Sequence, residues 1–472
     1  MRFLEFSSLG VIQHPECQPP SYPATTGSPA KTETTSMSEP TVRKLTLLDL
    51  QGIDSQTQAV IQKIAARIVV AKVLKERLSA SVFDELGELA EHYVYGCFTT
   101  LKRGKTLRGS CGFLGRPTRL RDAIAESAQK TARDDPRMPG ISSIELPYLS
   151  CHLTLLSDPL AIEADGAQRN EKIELGKHGL RITTSLTSPY GQRGGLILPG
   201  QPLEQGWDTD ATLGALCRQA GLPADAWKDP SVLLETFEGL EIPGNLNIIE
   251  LPDPMPLEGP PGDVESLQKL KAATVQTMIN LSHGATPNYY VLDAMDGTAQ
   301  TIVLSAVDVD SNVPLAHWIQ TSLRPGLPLQ SSVFELSRLA EGTLRRSRFD
   351  KAVDVDLALS ILYDSAHHGS VHPVDWDEQK LKESLSDCAL EGVYANQRAI
   401  MVLCGERIAV AFDPSKSVHA LLEQAASMIR SESLSMSVMS LGCISTASSL
   451  LASNGPRPGS SDRTPRESAS GS

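Results

Sequence analysis

The sequence predicts an α/β protein of α+β character, in which helices and hairpin-paired strands form two domains. Three observations support this fold class. Residues 54–78 carry apolar side chains at the spacings of one helix face, whereas residues 149–157 alternate apolar and polar side chains like a half-buried strand. Residues 246–262 contain PDPMPLEGPPG, a stiff proline-rich run that indicates a linker between two domains.

The composition limits the class of protein. The chain has 472 residues, of which 40% are hydrophobic, so it can form two cores and still carry disordered ends. Its formal net charge of -13 argues against binding of nucleic acid or an anionic membrane, since such partners require a broad basic face. Its eight cysteines include no C-x-x-C pair, which argues against a disulfide framework. No apolar run is long enough for a signal peptide or a membrane span, so we expect a soluble, cytoplasmic protein.

Both ends of the sequence are poor in apolar residues. Residues 1–45 are dominated by Pro, Ser, Thr and Gly, which predicts a disordered leader, and Met37 is an alternative to Met1 as the start. Residues 432–472 are rich in serine, which predicts a disordered tail. The two domains are therefore expected at residues 46–245 and 263–431.

The first domain begins with the amphipathic helix, which Asp54 or Ser55 can cap. Residues 93–101 then read as a strand, and a polar turn containing Gly104 leads into a second strand from Leu107, which predicts a hairpin. The segment TRLRDAIAESAQKTAR has the periodicity of a helix and stops ahead of Pro136.

Further strands follow the half-buried strand at residues 149–157. Residues 179–184 and 194–198 form a predicted strand pair around a glycine-rich loop. Asp208 can cap a helix that Gly221 terminates, and residues 237–242 read as a closing strand.

The second domain is predicted to begin with a helix capped by Asp263. Two hairpins follow, NYYVLDA with TAQTIVLSAV and RAIMVLC with RIAVAF, and the second precedes a helix. These hairpin-plus-helix units suggest a weak internal duplication. The segment AVDVDLALSILY fits both a strand and a helix, so its structure stays open.

A local basic segment surrounds the run LRGSCGFLG at residues 107–115. No carboxylate occurs in it before Asp122. Its basic residues are Lys102, Arg103, Lys105, Arg108, Arg116, Arg119 and Arg121. Within an acidic protein, such a segment can form a site for one small anion.

The glycines of this run allow backbone amides to approach a ligand closely. Arg108 could bind a carboxylate or phosphate through two parallel hydrogen bonds, and Gly109, Ser110 and Gly112 could add donors. These four residues are the predicted ligand-binding site. The alternative for Arg108 is an internal ion pair, and the turn residues before it are expected to be solvated. The glycine spacing is neither a dinucleotide fingerprint nor a P-loop.

Seven ordered motifs carry a family resemblance. LRGSCG, RDAIAESAQKTARDDPR, LTLLSDP, GKHGL, GGLILPGQ, EQGW and LCRQAGLP resemble, in order and spacing, the AMMECR domain family, also called the A component of the AmmeMemoRadiSam system. The resemblance covers residues 46–245 and does not reach the second domain. It implies a mostly antiparallel sheet flanked by helices with a small subdomain. It also implies a cytoplasmic protein, often encoded beside a Memo-like protein and a radical-SAM protein, without implying a reaction.

The chain departs from the usual family motif LRGCIG, because Ser110 stands where the cysteine is expected and Cys111 follows it. In a regular strand, alternate residues face opposite sides of the sheet. Cys111 would then share the core side with Leu107 and Phe113, and Ser110 would share the other side with Arg108. We therefore expect Cys111 to fill the core rather than act as a nucleophile, unless a bulge rotates it outward.

Three residues are candidates for catalysis. His152 lies on the polar side of its predicted strand and could act as a general base. Glu204 matches the family motif EQGW, and Ser110 replaces the family's cysteine. The alternatives are an ordinary hydrogen-bonded histidine for His152 and a cap or ion pair for Glu204.

The run DSAHHGSVHPVDWD contains residue types that bind zinc or redox metals. Its candidates are His367, His368 and His372, near Asp364 and Asp375. The spacing matches no metal signature, so an exposed histidine-rich loop is the preferred interpretation. The sequence predicts no particular cofactor.

The leading functional hypothesis is a domain that binds a small anionic ligand at LRGSCG, with enzymatic turnover left open. The alternative is a non-catalytic scaffold that docks a Memo-like or radical-SAM protein through the same face. A cleft where Arg108, Ser110, His152 and Glu204 converge would favour the ligand, and a flat apolar patch would favour the scaffold.

Overall fold

The fold was analysed in a computed structural model, which describes residues 43–104, 106–164, 166–309, 314–324, 326–346, 355–371, 390–429 and 435–454. Helices and antiparallel sheets build two α+β domains, so the predicted fold class is confirmed. The domain boundaries stay a prediction.

The α-helices of the described residues are α1 (Leu47–Gln51), α2 (Ser55–Leu74), α3 (Leu120–Gln129), α4 (Gln201–Gln205), α5 (Thr209–Gln219), α6 (Val264–Ser282), α7 (Leu329–Arg346) and α8 (Val418–Ile429). The strands of the first domain are β1 (Tyr93–Arg103), β2 (Thr106–Arg119), β3 (Leu149–Leu156), β4 (Leu160–Ala161), β5 (Gly179–Thr184), β6 (Arg193–Ile197), β7 (Val232–Phe237) and β8 (Gly239–Ile242). Those of the second domain are β9 (Thr298–Ala299), β10 (Thr301–Asp308), β11 (Pro314–Thr321), β12 (Leu327–Pro328), β13 (Val355–Val371), β14 (Arg398–Cys404), β15 (Arg407–Phe412), β16 (Met436–Ser445) and β17 (Leu450–Ser453).

Helices cover one face of the first sheet, whose antiparallel strand order is β2-β1-β3-β8. Helix α2 begins where the Asp54 carboxylate accepts hydrogen bonds from the backbone N–H groups of Gln56 and Thr57. Its apolar side chains, including Ile61 and Ile64, are buried in the same core as α3 and the sheet. The predicted amphipathic helix and its cap are confirmed.

A subdomain covers part of the other face. Its four-stranded sheet has the order β4-β7-β5-β6 and carries α5 in its own apolar core. Phe98 and Leu156 from the first sheet are buried with Leu196 and Phe237 from the subdomain. The first sheet therefore lies between helices and the subdomain, and its polar side chains on the second face point toward the subdomain.

The second domain is a seven-stranded antiparallel sheet with the order β11-β10-β13-β16-β14-β15-β17. The units β10-β11-α7-β13 and β14-β15-α8-β16 occupy mirrored places about the β13–β16 pair, which agrees with the suspected duplication. The two edge strands, β11 and β17, also approach each other, so the sheet curls. The predicted NYYVLDA strand is wrong, because β10 pairs with β11 and Val291 donates its backbone N–H to Gln330.

The serine-rich tail was predicted wrongly for residues 435–454. Strand β16 is central in the second sheet, and β17 extends it. Because both faces of β16 are covered, its sequence lacks the alternation of a half-buried strand. Ser440 fits there because its hydroxyl oxygen accepts a hydrogen bond from Arg398. Residues 455–472 lie outside the described residues.

The predicted leader and linker also need correction. Residues 1–42 lie outside the described part of the chain, but Leu45 is buried and pairs through its backbone with Tyr93. The proline-rich linker does not hold the domains apart. Met255 packs against the first core, and Glu258 forms ion pairs with Lys75 and Arg133.

Across the described ranges, none of the helices has the length and apolar character that crossing a membrane requires.

Candidate functional site

The motif LRGSCG lies on β2, as the return arm of the predicted hairpin with β1. Cys111 is opposite Thr99, and Ser110 is opposite Thr100. The register shifts twice, between Val94 and Gly96 and after Leu101, and the second shift falls beside Arg108 rather than at Cys111. Ser110 and Cys111 therefore face opposite sides of the sheet, as the alternation predicts.

The two predicted ligand-binding glycines pack against protein atoms. A Cβ at Gly112 would lie 2.2 Å from the Cys97 carbonyl oxygen and 2.5 Å from the Phe98 ring. A Cβ at Gly109 would lie 3.1 Å from the Thr131 carbonyl oxygen. The structure thus explains both glycines by close packing of the hairpin, without a ligand.

Arg108 forms the internal ion pair that was the alternative to ligand contact. Its Nε and Nη2 donate to the Glu145 carboxylate at 2.6 and 2.9 Å. Nη1 and Nη2 also donate to the carbonyl oxygens of Pro139 and Gly140, each at 2.9 Å. The Arg108 and Glu145 side chains are 1% and 0% exposed. In this conformation the guanidinium is fully engaged within the protein, so the expected fork for an anion is not available.

Most basic side chains around the motif form ion pairs with carboxylates elsewhere in the first domain. Lys105 lies outside the described residues, and each of the others has a partner. The pairs are Lys102–Glu204, Arg103 with the His367 carbonyl oxygen, Arg108–Glu145, Arg116–Glu126, Arg119–Glu91 and Arg121–Glu91. The basic side chains are therefore largely paired with carboxylates, and among these pairs only Arg108–Glu145 is fully buried.

Asp135 and Arg137 complete the outer edge of β2. The Ser110 backbone N–H donates to Asp135 Oδ2 at 2.9 Å, and Arg137 donates to the Ser110 carbonyl oxygen. Burial disfavours the Asp135 carboxylate, but hydrogen bonds and charge from Arg137 outweigh it and lower the pKa of Asp135. The Asp135 carboxylate and the Arg137 guanidinium therefore take up backbone groups of the edge strand that a neighbouring strand would otherwise bind.

Cys111 is half-buried on the side of the sheet that faces the helices. Burial, with a smaller effect of the Asp135 charge, raises the pKa of the Cys111 thiol to about 12. The thiol is therefore protonated at neutral pH, which agrees with a packing role rather than a nucleophile.

The opposite side of the sheet carries the polar row, which we define as the side chains of Ser110, Thr100 and His152. The Ser110 and Thr100 hydroxyl oxygens are 2.9 Å apart, and Thr100 is directly opposite His152 in the neighbouring strand pair. His152 Nε2 lies 3.2 Å from the Ser150 hydroxyl, and Nδ1 lies 3.5 Å from Glu241 Oε1. Three adjacent strands thus present two hydroxyls and one imidazole together.

An ion pair joins this face to the subdomain. Lys102 Nζ lies 2.6 Å from Glu204 Oε1 on α4. The neighbouring His152 ring, with a smaller effect of the Lys102 charge, lowers the pKa of Glu241 against the effect of burial. The region therefore holds hydroxyls, an imidazole and an ammonium group beside two carboxylates.

Three of the four residues expected to converge lie around this face. Ser110 and His152 belong to the polar row, Glu204 reaches it through Lys102, and Arg108 points elsewhere. Sequence reasoning missed Thr100 and misassigned Lys102 as a solvated turn residue. The hairpin register could have located both, since Thr100 and Lys102 are two residues apart on one strand.

The histidine-rich segment is not an exposed loop in its described part. His367 and His368 lie on β13, and His368 Nε2 is 2.7 Å from the Ser440 hydroxyl of a neighbouring strand. His372 lies outside the described residues. Within the described ranges, the His, Cys, Asp and Glu side chains form no cluster suited to a metal ion.

His367 makes stability depend on pH. Burial and the charges of Arg108 and Arg103 lower its pKa from 6.5 to about 4, and Glu145 only partly opposes them. Between these values the unfolded chain binds a proton that the folded protein does not, so acidification destabilises the fold. Because the ring keeps some solvent exposure, we expect a loss of about 1–2 kcal/mol between pH 7 and pH 4.5.

Urea unfolding of wild type and His367→Gln at both pH values measures this loss. The glutamine variant removes the titrating ring, so its stability should fall less with acidification. An equal fall in the two proteins would assign the pH dependence to other groups.

Comparison with known proteins adds a family match. Residues 62–242 match the AMMECR1 family. Protein NEQ441 of Nanoarchaeum equitans is 35% identical over 175 residues, which are 36% of this chain and 94% of that protein. Protein TK0174 of Thermococcus kodakarensis is 34% identical over 180 residues, 37% of this chain and 84% of that protein. The crystal structure of protein PH0010 from Pyrococcus horikoshii shares 28% identity over 40% of this chain and 92% of that chain, with a TM-score of 0.35.

Proposed function

Since this chain belongs to the AMMECR1 family, we propose that its first domain binds a small anionic ligand, a carboxylate or a phosphate, at the polar row. The observation that carries the proposal is the alignment of Ser110, Thr100 and His152 across three neighbouring strands. Hydroxyl and imidazole groups supply the donors that such an anion needs. Lys102, rather than Arg108, supplies the positive charge.

The energetic cost of recruiting each cation supports this choice. The Lys102 and Glu204 side chains are 19% and 50% exposed, so their pair is worth about 0–1 kcal/mol and can exchange partners. Removing a partner from the fully buried Arg108–Glu145 pair costs about 3–5 kcal/mol. A ligand anion can therefore compete for Lys102 at much lower cost than for Arg108.

Proton transfer is the chemistry that these residues could add. His152 lies between the Ser150 hydroxyl and the Glu241 carboxylate, which can orient its ring. In a turnover step, His152 would accept or return a proton of the bound ligand, and Glu204, released from Lys102, could act as a second acid or base.

The polar character of this face also bears on the alternative function, docking of a Memo-like or radical-SAM protein. A docking face is expected to expose contiguous apolar surface. Phe98 and Leu156, two apolar residues on this side of the sheet, are buried against the subdomain, and Leu114 is partly buried with them. This arrangement supports the ligand over the scaffold.

Binding can be tested with isothermal titration of the full chain against inorganic phosphate and a panel of organic phosphates and carboxylates. Lys102→Met should weaken binding of the best ligand at least about tenfold, because the ligand loses a charged hydrogen-bond donor. Lys130→Met is the matched control, since Lys130 pairs with Glu126 on the helical side and should leave affinity unchanged. Equal affinity of the Lys102 variant and wild type, or no binding across the panel, would contradict the proposal.

A further inference from the structure

The junction segment, Ser143–Tyr148, is a 3₁₀-helical stretch of the first domain that packs into the second. Ile144 is 6% exposed and belongs to the same buried apolar cluster as Ala366, Val402 and Leu422. Tyr148 lies against Gly392, where a Cβ would be 3.4 Å from the phenol oxygen. One side of this segment therefore completes the core of the other domain.

Four hydrogen bonds surround this apolar contact and cross between the domains. The Ser142 hydroxyl donates to Asp364 Oδ2 at 2.9 Å, the His367 N–H donates to Glu145 Oε2 at 3.3 Å, Arg103 donates to the His367 carbonyl oxygen at 3.1 Å, and Arg324 donates to the Met138 carbonyl oxygen at 3.0 Å. Asp364 is also paired with Arg398 inside the second sheet. The junction thus joins buried groups of both domains.

Some of the groups at this junction also bind the LRGSCG motif. The Glu145 carboxylate accepts from Arg108 of LRGSCG and from the second domain. The neighbouring carbonyl oxygens also have partners in both places. The Met138 carbonyl oxygen accepts from Arg324 of the second domain, and those of residues 139 and 140 accept from Arg108 of the motif. The second domain and the motif therefore share both of their anchoring points.

We propose that the second domain is a built-in docking partner that seats on the junction segment and thereby fixes the LRGSCG hairpin. If the domains separate, Ile144 loses its apolar cluster and Glu145 loses a donor, and water reaches the Arg108 ion pair. The Arg108 ion pair, which anchors the hairpin outside the sheet, is then weakened. Domain separation and opening of the hairpin are therefore one event. This inference does not depend on a ligand.

The burial of the junction distinguishes this arrangement from two domains that merely touch. Contacts between independent domains are polar and readily hydrated. Here Ile144, Glu145 and Asp364 are all buried, and the latter two are charged. Separation would expose Ile144 to water and break the hydrogen bonds that Glu145 and Asp364 accept across the junction, which makes it costly.

Hydrogen exchange of the full chain, followed by mass spectrometry, tests the proposal. Ile144→Ala and Arg324→Ala weaken the junction without altering the motif. Each should raise exchange in residues 106–112 by about tenfold or more, because exchange follows the free energy of local opening. Ile182→Ala is the control, since Ile182 is also buried but lies in the subdomain core. It should leave exchange in residues 106–112 unchanged.

Two results would overturn the proposal. One is unchanged exchange of the hairpin in both junction variants while β13 or α8 exchanges faster, which would mean that docking does not reach the motif. The other is an equal rise in the control, which would mean that any core cavity loosens the hairpin. Should Ile144→Ala fail to fold, Ile144→Val and the milder Arg324→Ala keep the same test in place.

Discussion

Replacing Arg108 by methionine should destabilise the protein by about 3–5 kcal/mol, one of the two largest effects expected in the motif. The methionine fills part of the space but leaves the Glu145 carboxylate buried without its partner. It also removes the donors to the carbonyl oxygens of Pro139 and Gly140. Equilibrium unfolding in guanidinium chloride measures the loss.

Two further variants test the cause. Arg116→Met, on the same strand, breaks a pair with Glu126 that is largely exposed, so it should cost no more than about 1 kcal/mol. Adding Glu145→Gln to Arg108→Met should recover part of the loss, because the unpaired charge disappears. Losses of similar size for Arg108→Met and Arg116→Met would refute the buried pair as the source.

This expectation changes how a ligand site should be tested. An Arg108 variant that loses binding would do so through a weakened fold, whatever Arg108 contacts. Lys102 is the informative position, because its ion pair is partly exposed and its loss leaves the core intact.

The Gly112→Ala variant should lose about 3 kcal/mol or more. The added methyl carbon would meet the Cys97 carbonyl oxygen at 2.2 Å and the Phe98 Cα at 2.7 Å. These are backbone atoms of the paired strand, which cannot move aside without breaking the ladder between β1 and β2. Thermal and denaturant unfolding should both reveal the loss.

Gly104→Ala provides the comparison within the same hairpin. Its φ of 57° disfavours alanine by about 1 kcal/mol, but no atom lies within 4 Å of the added carbon. A loss for Gly112→Ala no greater than that for Gly104→Ala would show that the strands can separate to admit a methyl group.

Local patterns in the sequence determined the fold class of the first domain. The spacing of apolar residues predicted α2, the carboxylate of Asp54 predicted its cap, and a polar turn containing Gly104 predicted the β1–β2 hairpin. The ordered motifs then identified the family. These features could be predicted because each depends on residues close together in the chain.

The candidate site could be predicted only in part. Strand alternation correctly put Ser110 on the side opposite Cys111, and His152 on a polar side. The register between strands was needed to bring Ser110 and His152 together through Thr100. The part taken by Lys102 required the subdomain, because Glu204 approaches it only after α4 packs beside the sheet.

Only the tertiary structure showed which group pairs with the buried Arg108 and that the serine-rich segment forms strands. The sequence around Arg108 does not show whether its guanidinium binds a ligand or Glu145, because Glu145 lies 37 positions away in the chain. His368 becomes a buried strand residue, and β16 becomes central, because the second domain covers both faces of its sheet. Composition and periodicity predict whether a residue is buried, because they reflect the cost of exposing it to water. They do not predict which distant group forms the hydrogen bonds that water would otherwise form.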